Sequence, residues 1–222
     1  MPNSPLPALI FDFDGTLIES APELARCLNA LLAEDGRRPL TQAQVEDMIG
    51  NGVAKLVERG LRASGGVPSN LDAHVKRFMA IYDSAPITDT PIYDGVTETL
   101  ARLGADGHVM AICTNKPYAP TMKILDGIGM THHFSVVGGG DSFPVRKPDP
   151  GHLEGVLDML GIARDQAIMI GDSPNDISCA VAAGVRSIAV TYGYSRIPHA
   201  ELGADRLIDR FDALPAAIAD LG

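Results

Sequence analysis

Short apolar runs that end in polar residues recur along this chain, and they restrict the folds that it can adopt. Each run is four or five residues long and is bounded by glycine, proline or polar residues. Runs of this length are typical of strands buried on both faces, as in a parallel sheet. They cover residues 8–11, 109–113, 134–137, 167–170 and 187–190.

Helical patterns alternate with these runs in the second half of the chain. Three of them end at a glycine, where a helix commonly stops. The alternation of strand and helix predicts an α/β fold with a Rossmann-like parallel sheet at its core. The predicted helices cover residues 96–103, 117–128, 152–160 and 176–183.

Residues 20–88 interrupt this alternation. They contain helical patterns over residues 22–33, 42–49, 53–63 and 71–82, with glycine-containing turns between them and no strand-like run. We therefore expect a helical cap domain over residues 20–88. The α/β core would then be formed by residues 1–19 and 89–222.

The polar residues that follow the predicted strands are the first candidates for a functional site. Asp12 follows one strand, Thr114 and Asn115 follow another, and Asp172 follows a third. In open parallel sheets, ligands bind beyond the carboxyl ends of the strands. The sequence therefore predicts that these distant residues meet at one edge of the sheet.

Asp12 and Asp14 flank Phe13 in the segment Asp-Phe-Asp-Gly-Thr. Gly15 permits the chain to turn at the strand end, so that both carboxylates can face a pocket. Together with Asp172 they would form the oxygen-rich site that Mg²⁺ prefers. The alternative is a strand that ends in a solvated acidic turn.

Three further groups are ambiguous when each is considered alone. Thr114 and Asn115 precede a helix and would either bind an anion or cap that helix. Gly171 permits a close approach of the backbone, and Asp172 follows it at the strand end. Asp176 opens the next helix, where it would either take part in the site or only cap that helix. Lys147 lies between prolines and arginine in a stiff loop, where a lysine is usually solvated.

The ordered set of these residues resembles the haloacid dehalogenase superfamily, in its phosphatase branch. The segment from Asp12 to Thr16 matches the first family motif, Thr114 the second and Lys147 the third. Gly171-Asp172 with Asp176 matches the fourth. The resemblance covers nearly the whole chain and is greatest to the bacterial phosphoglycolate phosphatases.

The resemblance implies a mechanism and a set of roles. Asp12 would be the nucleophile that forms an aspartyl-phosphate, and Asp14 the general acid and base. Mg²⁺ would be held by Asp12, Asp172 and the Asp14 backbone carbonyl. Lys147 would offset negative charge, and Asp176 would orient Lys147 or a water. Phosphate-binding groups would come from Thr16, Thr114 and Asn115.

The resemblance also implies a small phosphorylated metabolite as the substrate, most similar to 2-phosphoglycolate. Asn51 and Gly52, at a helix junction in the insert, would present backbone N–H groups to the substrate carboxylate, or else form an ordinary turn. A sugar-phosphate phosphatase or a phosphoglucomutase-like enzyme is the alternative within the family. A phosphonate-cleaving enzyme would need Lys55 as its Schiff-base lysine.

Two alternative hypotheses assign the chain to other functional classes of protein. A receiver-type signalling domain also carries a phosphorylated aspartate in an α/β sheet, but such domains are shorter and have no helical insert. A catalytically inactive relative would serve as a binding module, but every expected catalytic residue type is present.

Composition and charge exclude several partners. A formal charge of −10 disfavours nucleic-acid binding, and no segment is long and apolar enough to span a membrane. Three cysteines without a pairing pattern and an N-terminus unlike a signal peptide predict a cytoplasmic protein, as a monomer or homodimer. All six histidines are expected on the surface or in loops.

Overall fold

The computed structural model describes residues 6–85 and 90–221. Its centre is a six-stranded parallel sheet with strand order β3-β2-β1-β4-β5-β6, which confirms the predicted α/β class. The strands β1, β2 and β4 lie in the middle of the sheet and are fully buried. The strands are β1 Ala8–Phe11, β2 Met110–Cys113, β3 Val136–Gly138, β4 Ala167–Gly171, β5 Arg186–Val190 and β6 Arg206–Ile208.

The described part of the chain contains nine α-helices, of which the last five belong to the same part of the chain as the sheet. Apolar side chains of the central strands alternate between two core clusters, one on each face, because successive residues of a strand point to opposite sides. The α-helices are α1 Ala21–Glu34, α2 Gln42–Glu46, α3 Val53–Ala63, α4 Leu71–Ser84, α5 Val96–Ala105, α6 Tyr118–Gly127, α7 Pro150–Leu160, α8 Pro174–Ala183 and α9 Leu214–Ala219.

Helices α1 to α4 form what we call the helical insert, which follows β1 directly. Pro22 lies in the first turn of α1, Thr41 forms a capping box with Gln44 at α2, and Asn70 caps α4. These caps satisfy backbone N–H groups that a helix start leaves without partners. The boundary predicted at residues 88 and 89 falls outside the described residues.

Two elements of the fold were not predicted from the sequence. Strand β6 has only three residues, of which two are exposed, so it presents no apolar run to recognise. Helix α9 is six residues long and too short for a clear helical period. Helix α2 also ends at Glu46, earlier than the predicted residue 49.

The prediction that all six histidines lie at the surface or in loops was wrong for His152. This residue is fully buried in α7, where its Nδ1 atom accepts a hydrogen bond from the backbone N–H of Lys147 at 3.3 Å. Burial and the nearby Lys147 charge lower the pKa of His152 to about 4. Helix α7 packs against the sheet, so a neutral imidazole can take a core position there.

Across the described residues, no helix combines the length and apolar character needed to cross a membrane.

Candidate active site

The carboxyl ends of three central strands bring the predicted residues to one edge of the sheet. Asp12 follows β1, Thr114 follows β2 and Asp172 follows β4. Strand β1 pairs in parallel with β2 on one side and with β4 on the other, so the three strands end side by side. All three side chains are buried.

Lys147 lies between two carboxylates at this edge. Its Nζ atom is 3.0 Å from Asp12 Oδ1 and donates a hydrogen bond to Asp176 Oδ1 at 2.6 Å. Burial alone would lower the pKa of Lys147, but the charges of Asp12 and Asp176 raise it above its ordinary value. The ammonium is therefore a fixed positive charge beside Asp12.

Asp176 is held by the start of α8. Its Oδ2 atom accepts hydrogen bonds from the Ser173 backbone N–H at 3.0 Å and the Ser173 hydroxyl at 2.7 Å. This is a capping box, and it leaves the other oxygen for Lys147. Gly171 is required here because a Cβ atom at that position would collide with the Asp176 side chain.

Asp172 is fixed by hydrogen bonds from two other segments. Its Oδ1 atom accepts from the Thr16 hydroxyl at 3.2 Å, and its Oδ2 atom accepts from the Tyr194 backbone N–H at 2.6 Å. Gly15 has φ +85°, and a Cβ atom there would lie 2.5 Å from Asp172 Oδ2. The turn after β1 therefore needs glycine in order to approach Asp172.

The acidic side chains of Asp12, Asp172 and Asp176 form a buried cluster. Carboxylate oxygens from the three lie within 4.8 Å of one another. Burial, followed by the charge of Asp176, raises the pKa of Asp12 to about 7. Burial and the charges of Asp176 and Asp12 raise the pKa of Asp172 well above its ordinary value.

This cluster fits a divalent cation. Three ionised carboxylates and the Lys147 ammonium sum to a charge of −2, which a divalent ion would neutralise. The donors are hard oxygen atoms, which suit Mg²⁺. Asp176 already binds the Lys147 ammonium and caps α8, whereas the hydrogen bonds that Asp172 accepts come from neutral donors, so Asp172 is the better partner for Asp12 in holding the ion.

Asp14 pairs with a lysine that the sequence analysis did not assign to the site. Lys116 Nζ is 3.1 Å from Asp14 Oδ1 and 3.4 Å from Oδ2, and lies 4.9 Å from the centre of the Tyr82 ring. Burial disfavours the Lys116 ammonium, but the Asp14 carboxylate and Tyr82 raise its pKa. The pair is almost fully buried, and Tyr82 comes from the insert.

A cavity of about 40 Å³ lies between the insert and the carboxyl edge of the sheet. Its polar side comes from the core and its apolar side mainly from the insert. The charged lining residues are Asp12, Asp14 and Lys116, and the others are Leu24, Ile49, Gly50, Gly52, Val53, Leu56, Tyr82, Thr114, Asn115, Pro117 and Pro120.

The remaining predicted site residues divide into two groups. Thr114, Asn115 and Gly52 line the cavity, and Gly50 joins them although it was not predicted. Asn51 instead lies beside the cavity, where its side chain bonds Asn175 at 3.2 Å and Arg59 at 2.8 Å. Thr16 is fully buried, and its hydroxyl is engaged with Asp172.

Comparison with known proteins identifies the family. The model of the haloacid dehalogenase-like hydrolase family matches residues 9–190. The chain belongs to this family. Phosphoglycolate phosphatase of Rhodospirillum rubrum is 44% identical over 213 residues, covering 93% of this chain and 88% of that protein. Phosphoglycolate phosphatase 1 of Pseudomonas aeruginosa is 41% identical over 96% of this chain and 80% of that protein.

Solved structures of haloacid dehalogenase-like hydrolases share the fold. A predicted phosphoglycolate phosphatase from Haemophilus somnus superposes with a TM-score of 0.91 at 31% identity, covering 97% of this chain and 99% of that one. The enzyme class predicted from the sequence, a phosphoric monoester hydrolase acting on a small phosphorylated substrate, is thereby confirmed.

Several site residues of this hydrolase were missed from the sequence. Lys116 directly follows Asn115, but its partner Asp14 is 102 positions away, so no local pattern joins them. Asn175 and Arg196 donate to backbone carbonyl oxygens of Gly50 and Ile49, which carry no sequence signal. The spacing Ser173 to Asp176 was the one available signal, since it fits a capping box.

Proposed function

We propose that this chain is a Mg²⁺-dependent phosphatase that hydrolyses 2-phosphoglycolate to glycolate and phosphate through an aspartyl-phosphate on Asp12. The observation that carries the proposal is the buried Lys147 ammonium, 3.0 Å from Asp12 and 2.6 Å from Asp176 at the cavity edge. A fixed cation beside an anionic nucleophile reduces its repulsion of an anionic phosphate ester.

In the first step, an Asp12 carboxylate oxygen attacks phosphorus in line with the ester oxygen. The bond from phosphorus to the ester oxygen breaks as the bond from Asp12 to phosphorus forms. The carboxylic acid of Asp14 gives its proton to the departing alkoxide, which leaves as the alcohol of glycolate. Lys147 stays ionised throughout, because Asp12 and Asp176 stabilise its charge.

In the second step, the Asp14 carboxylate takes a proton from a water molecule. The oxygen of that water attacks phosphorus, and the Asp12 carboxylate leaves, which restores both aspartates and releases phosphate. Asp14 lines the same cavity as Asp12, as a residue with this role must. The Thr114 hydroxyl and the backbone beside it are the candidate donors to the transferring phosphoryl group.

Mg²⁺ would be held by the carboxylates of Asp12 and Asp172 and by the Asp14 backbone carbonyl. When bound, it supplies Lewis-acid neutralisation of the phosphoryl oxygens. Thr16 and the Tyr194 backbone would orient Asp172 through the bonds that its two oxygens accept. Asp176 would orient Lys147 rather than contact the ion.

The helical insert would act as a cap that excludes water from the site, with residues 20–88 as one domain and residues 1–19 and 89–222 as the other. Ile49, Gly52 and Tyr82 of the insert line the cavity opposite the aspartates. The apolar side chains of Leu24, Val53 and Leu56 in the lining offer no hydrogen-bond partners for the hydroxyl groups of a sugar phosphate, which favours a small ester. The curated relatives named phosphoglycolate phosphatase support the same choice.

A panel of phosphate esters tests the proposal. Phosphate release is measured from 2-phosphoglycolate, sugar phosphates and nucleotides, with Mg²⁺ and with EDTA. We expect the highest kcat/KM for 2-phosphoglycolate, and loss of activity in EDTA that returns when Mg²⁺ is added. Activity that EDTA does not change would exclude the metal-dependent mechanism. A higher kcat/KM for a sugar phosphate would mean that a sugar phosphate, and not 2-phosphoglycolate, is the preferred substrate.

A chemical quench of the reaction tests the intermediate. A phosphorylated protein should form and decay during turnover, and its label should map to Asp12. A phosphorylated protein that persists without releasing phosphate would instead favour a receiver-type signalling role.

A further inference from the structure

Lys116 is the one cation among the described residues that line the cavity. Lys147 is also at this edge, but two carboxylates enclose its ammonium and it does not line the cavity. Any negative group of a substrate that points away from Asp12 therefore meets Lys116 as its nearest cationic lining residue.

The surroundings of Lys116 leave it able to bind such a group. Its side chain is 4% exposed, and its ammonium lies 4.9 Å from the centre of the ring of Tyr82, a residue of the insert. In the described part of the chain, its ammonium hydrogen bonds go to the two oxygens of Asp14. An ammonium carries three N–H donors, so capacity remains for a second anionic acceptor.

The rest of the cavity lining indicates where a negatively charged group of the substrate would bind. Leu24, Val53 and Leu56 of the insert give the cavity an apolar lining. A carboxylate would be poorly solvated against that surface and would need a charged partner. Since Lys116 also contacts Asp14, the partner lies next to the residue proposed to protonate the leaving oxygen.

We propose that Lys116 determines substrate specificity by binding a carboxylate attached one carbon from the ester oxygen of the substrate. This inference rests on the proposed function and deepens it, because it names the group that distinguishes 2-phosphoglycolate from a neutral ester. Lys116 thereby selects phosphate monoesters whose leaving group carries a second negative charge.

Two substrates of the same carbon count test this role. In 2-phosphoglycolate a carboxylate stands where ethyl phosphate has a methyl group, and the phosphoryl groups are the same. The kcat/KM ratio of the two substrates is measured for the wild-type protein and for Lys116→Met. The part of any effect of Lys116 on Asp14 that is common to both substrates cancels in the ratio. We expect the preference for 2-phosphoglycolate to fall roughly 30- to 100-fold, as for loss of one buried charge-assisted hydrogen bond.

Two other variants serve as controls for charge. Lys55 is 59% exposed on α3 and pairs with Glu58, so Lys55→Met should leave the ratio unchanged. Arg146 is exposed, with a nitrogen 3.0 Å from where a Cβ atom on Gly52 would lie, so it is the rival cation at the cavity mouth. A shift of the ratio in Arg146→Met that is absent in Lys116→Met would overturn the proposal.

Lys116→Gln provides a second variant, with a neutral donor of similar length, in case Lys116→Met fails to fold. Thermal melting and circular dichroism identify which variants are folded. A folded Lys116 variant that keeps the wild-type ratio of kcat/KM for the two substrates would contradict the inference. Failure of the proposed function has a different signature: the wild-type protein would prefer another ester to 2-phosphoglycolate. In that event an unchanged ratio in the variants would still count separately against Lys116.

Discussion

The side-chain amide of Asn115 donates a hydrogen bond to the backbone carbonyl oxygen of Gly50 at 2.9 Å. Its second N–H donates to the carbonyl oxygen of Lys147, also at 2.9 Å. Gly50 belongs to the helical insert and Lys147 to the loop before α7. One buried core side chain therefore joins the insert to the loop that carries the lysine beside Asp12.

Replacing Asn115 by alanine should weaken both stability and substrate affinity. The change removes the donor to the Lys147 carbonyl oxygen and one of two donors to that of Gly50, which Asn175 also bonds. Loss of a donor to a buried group costs about 1–3 kcal/mol. We expect a lower Tm and a several-fold higher KM for 2-phosphoglycolate, because the insert is held less firmly over the cavity. Thermal melting and steady-state kinetics measure the two effects.

Asn29 offers a matched control for Asn115. Its side chain also makes two hydrogen bonds to backbone, to the carbonyl oxygen and the N–H of Leu40, but both lie within the insert. Asn29→Ala should lower Tm and leave KM unchanged. Equal changes of KM in both variants would mean that Asn115 acts only through general stability.

Asp12→Asn should abolish turnover while the protein stays folded. The amide cannot attack phosphorus as a carboxylate does, so we expect kcat to fall by at least ~10⁴-fold. The variant also removes a buried charge whose pKa is raised to about 7, so Tm in EDTA should not fall sharply. Asp158→Asn, on the exposed face of α7, is the control and should retain full activity. Substantial phosphatase activity in Asp12→Asn would show that Asp12 is not the nucleophile.

Mg²⁺ should stabilise the folded protein through the acidic cluster. A ligand at ~100 times its Kd adds about 2.7 kcal/mol, which raises Tm by roughly 5–10 °C for a chain of this size. Asp172→Asn should abolish the rise, because it removes one of the two carboxylates best able to hold the ion. Differential scanning calorimetry with Mg²⁺ and with EDTA measures the effect. A full rise in Asp172→Asn would place the ion elsewhere.

Asp35 should stabilise the insert in a pH-dependent way. Hydrogen bonds from Arg77, at 2.8 Å, lower the pKa of Asp35 despite some opposing burial. Because the pKa of Asp35 is lower in the folded protein, its ionised carboxylate adds to the free energy of unfolding. This contribution is complete above the unfolded-state pKa of 3.8 and is lost as the pH falls through the folded-state pKa. Urea unfolding should show Asp35→Asn less stable by about 1–2 kcal/mol at pH 7, with a smaller difference below pH ~4.

Asp106 is the control for that pair. It lies 3.8 Å from Arg102 in an exposed ion pair, and such pairs contribute little. Asp106→Asn should change the free energy of unfolding by no more than a few tenths of a kcal/mol. A pH-independent effect of Asp35→Asn would show that its hydrogen bonds, and not its charge, carry the contribution.

The sequence was sufficient to predict most of the fold because the central strands are buried on both faces. Such strands must be short apolar runs, and the residues that follow them, such as Asp12 and Asp172, must lie at one edge. Strand β6 escaped prediction for the converse reason: it is an edge strand with two exposed residues. Buried strands can therefore be recognised in the sequence, and so can the residues that follow them.

The contacts between the insert and the core could not be predicted in the same way. Lys116 and Tyr82 meet because α4 and the loop after β2 approach each other, and nothing local in either segment indicates this. Asn51 is a second such contact, because its side chain is hydrogen-bonded to Asn175 of the core as well as to Arg59. Whether the backbone N–H groups of Asn51 and Gly52 bind the substrate carboxylate stays a prediction.

Three core side chains in the described part of the chain hold the segment from Ile49 to Gly50 through its backbone carbonyl oxygens. Asn115 and Asn175 both donate to Gly50, and Arg196 donates to Ile49. Every amino acid supplies such an oxygen, so these three hydrogen bonds do not depend on the side chains at positions 49 and 50. Saturation mutagenesis should find the three donors intolerant and the neighbouring lining positions of the insert permissive. Substitutions at the lining positions of the insert should therefore change which substrates fit while these three hydrogen bonds stay intact.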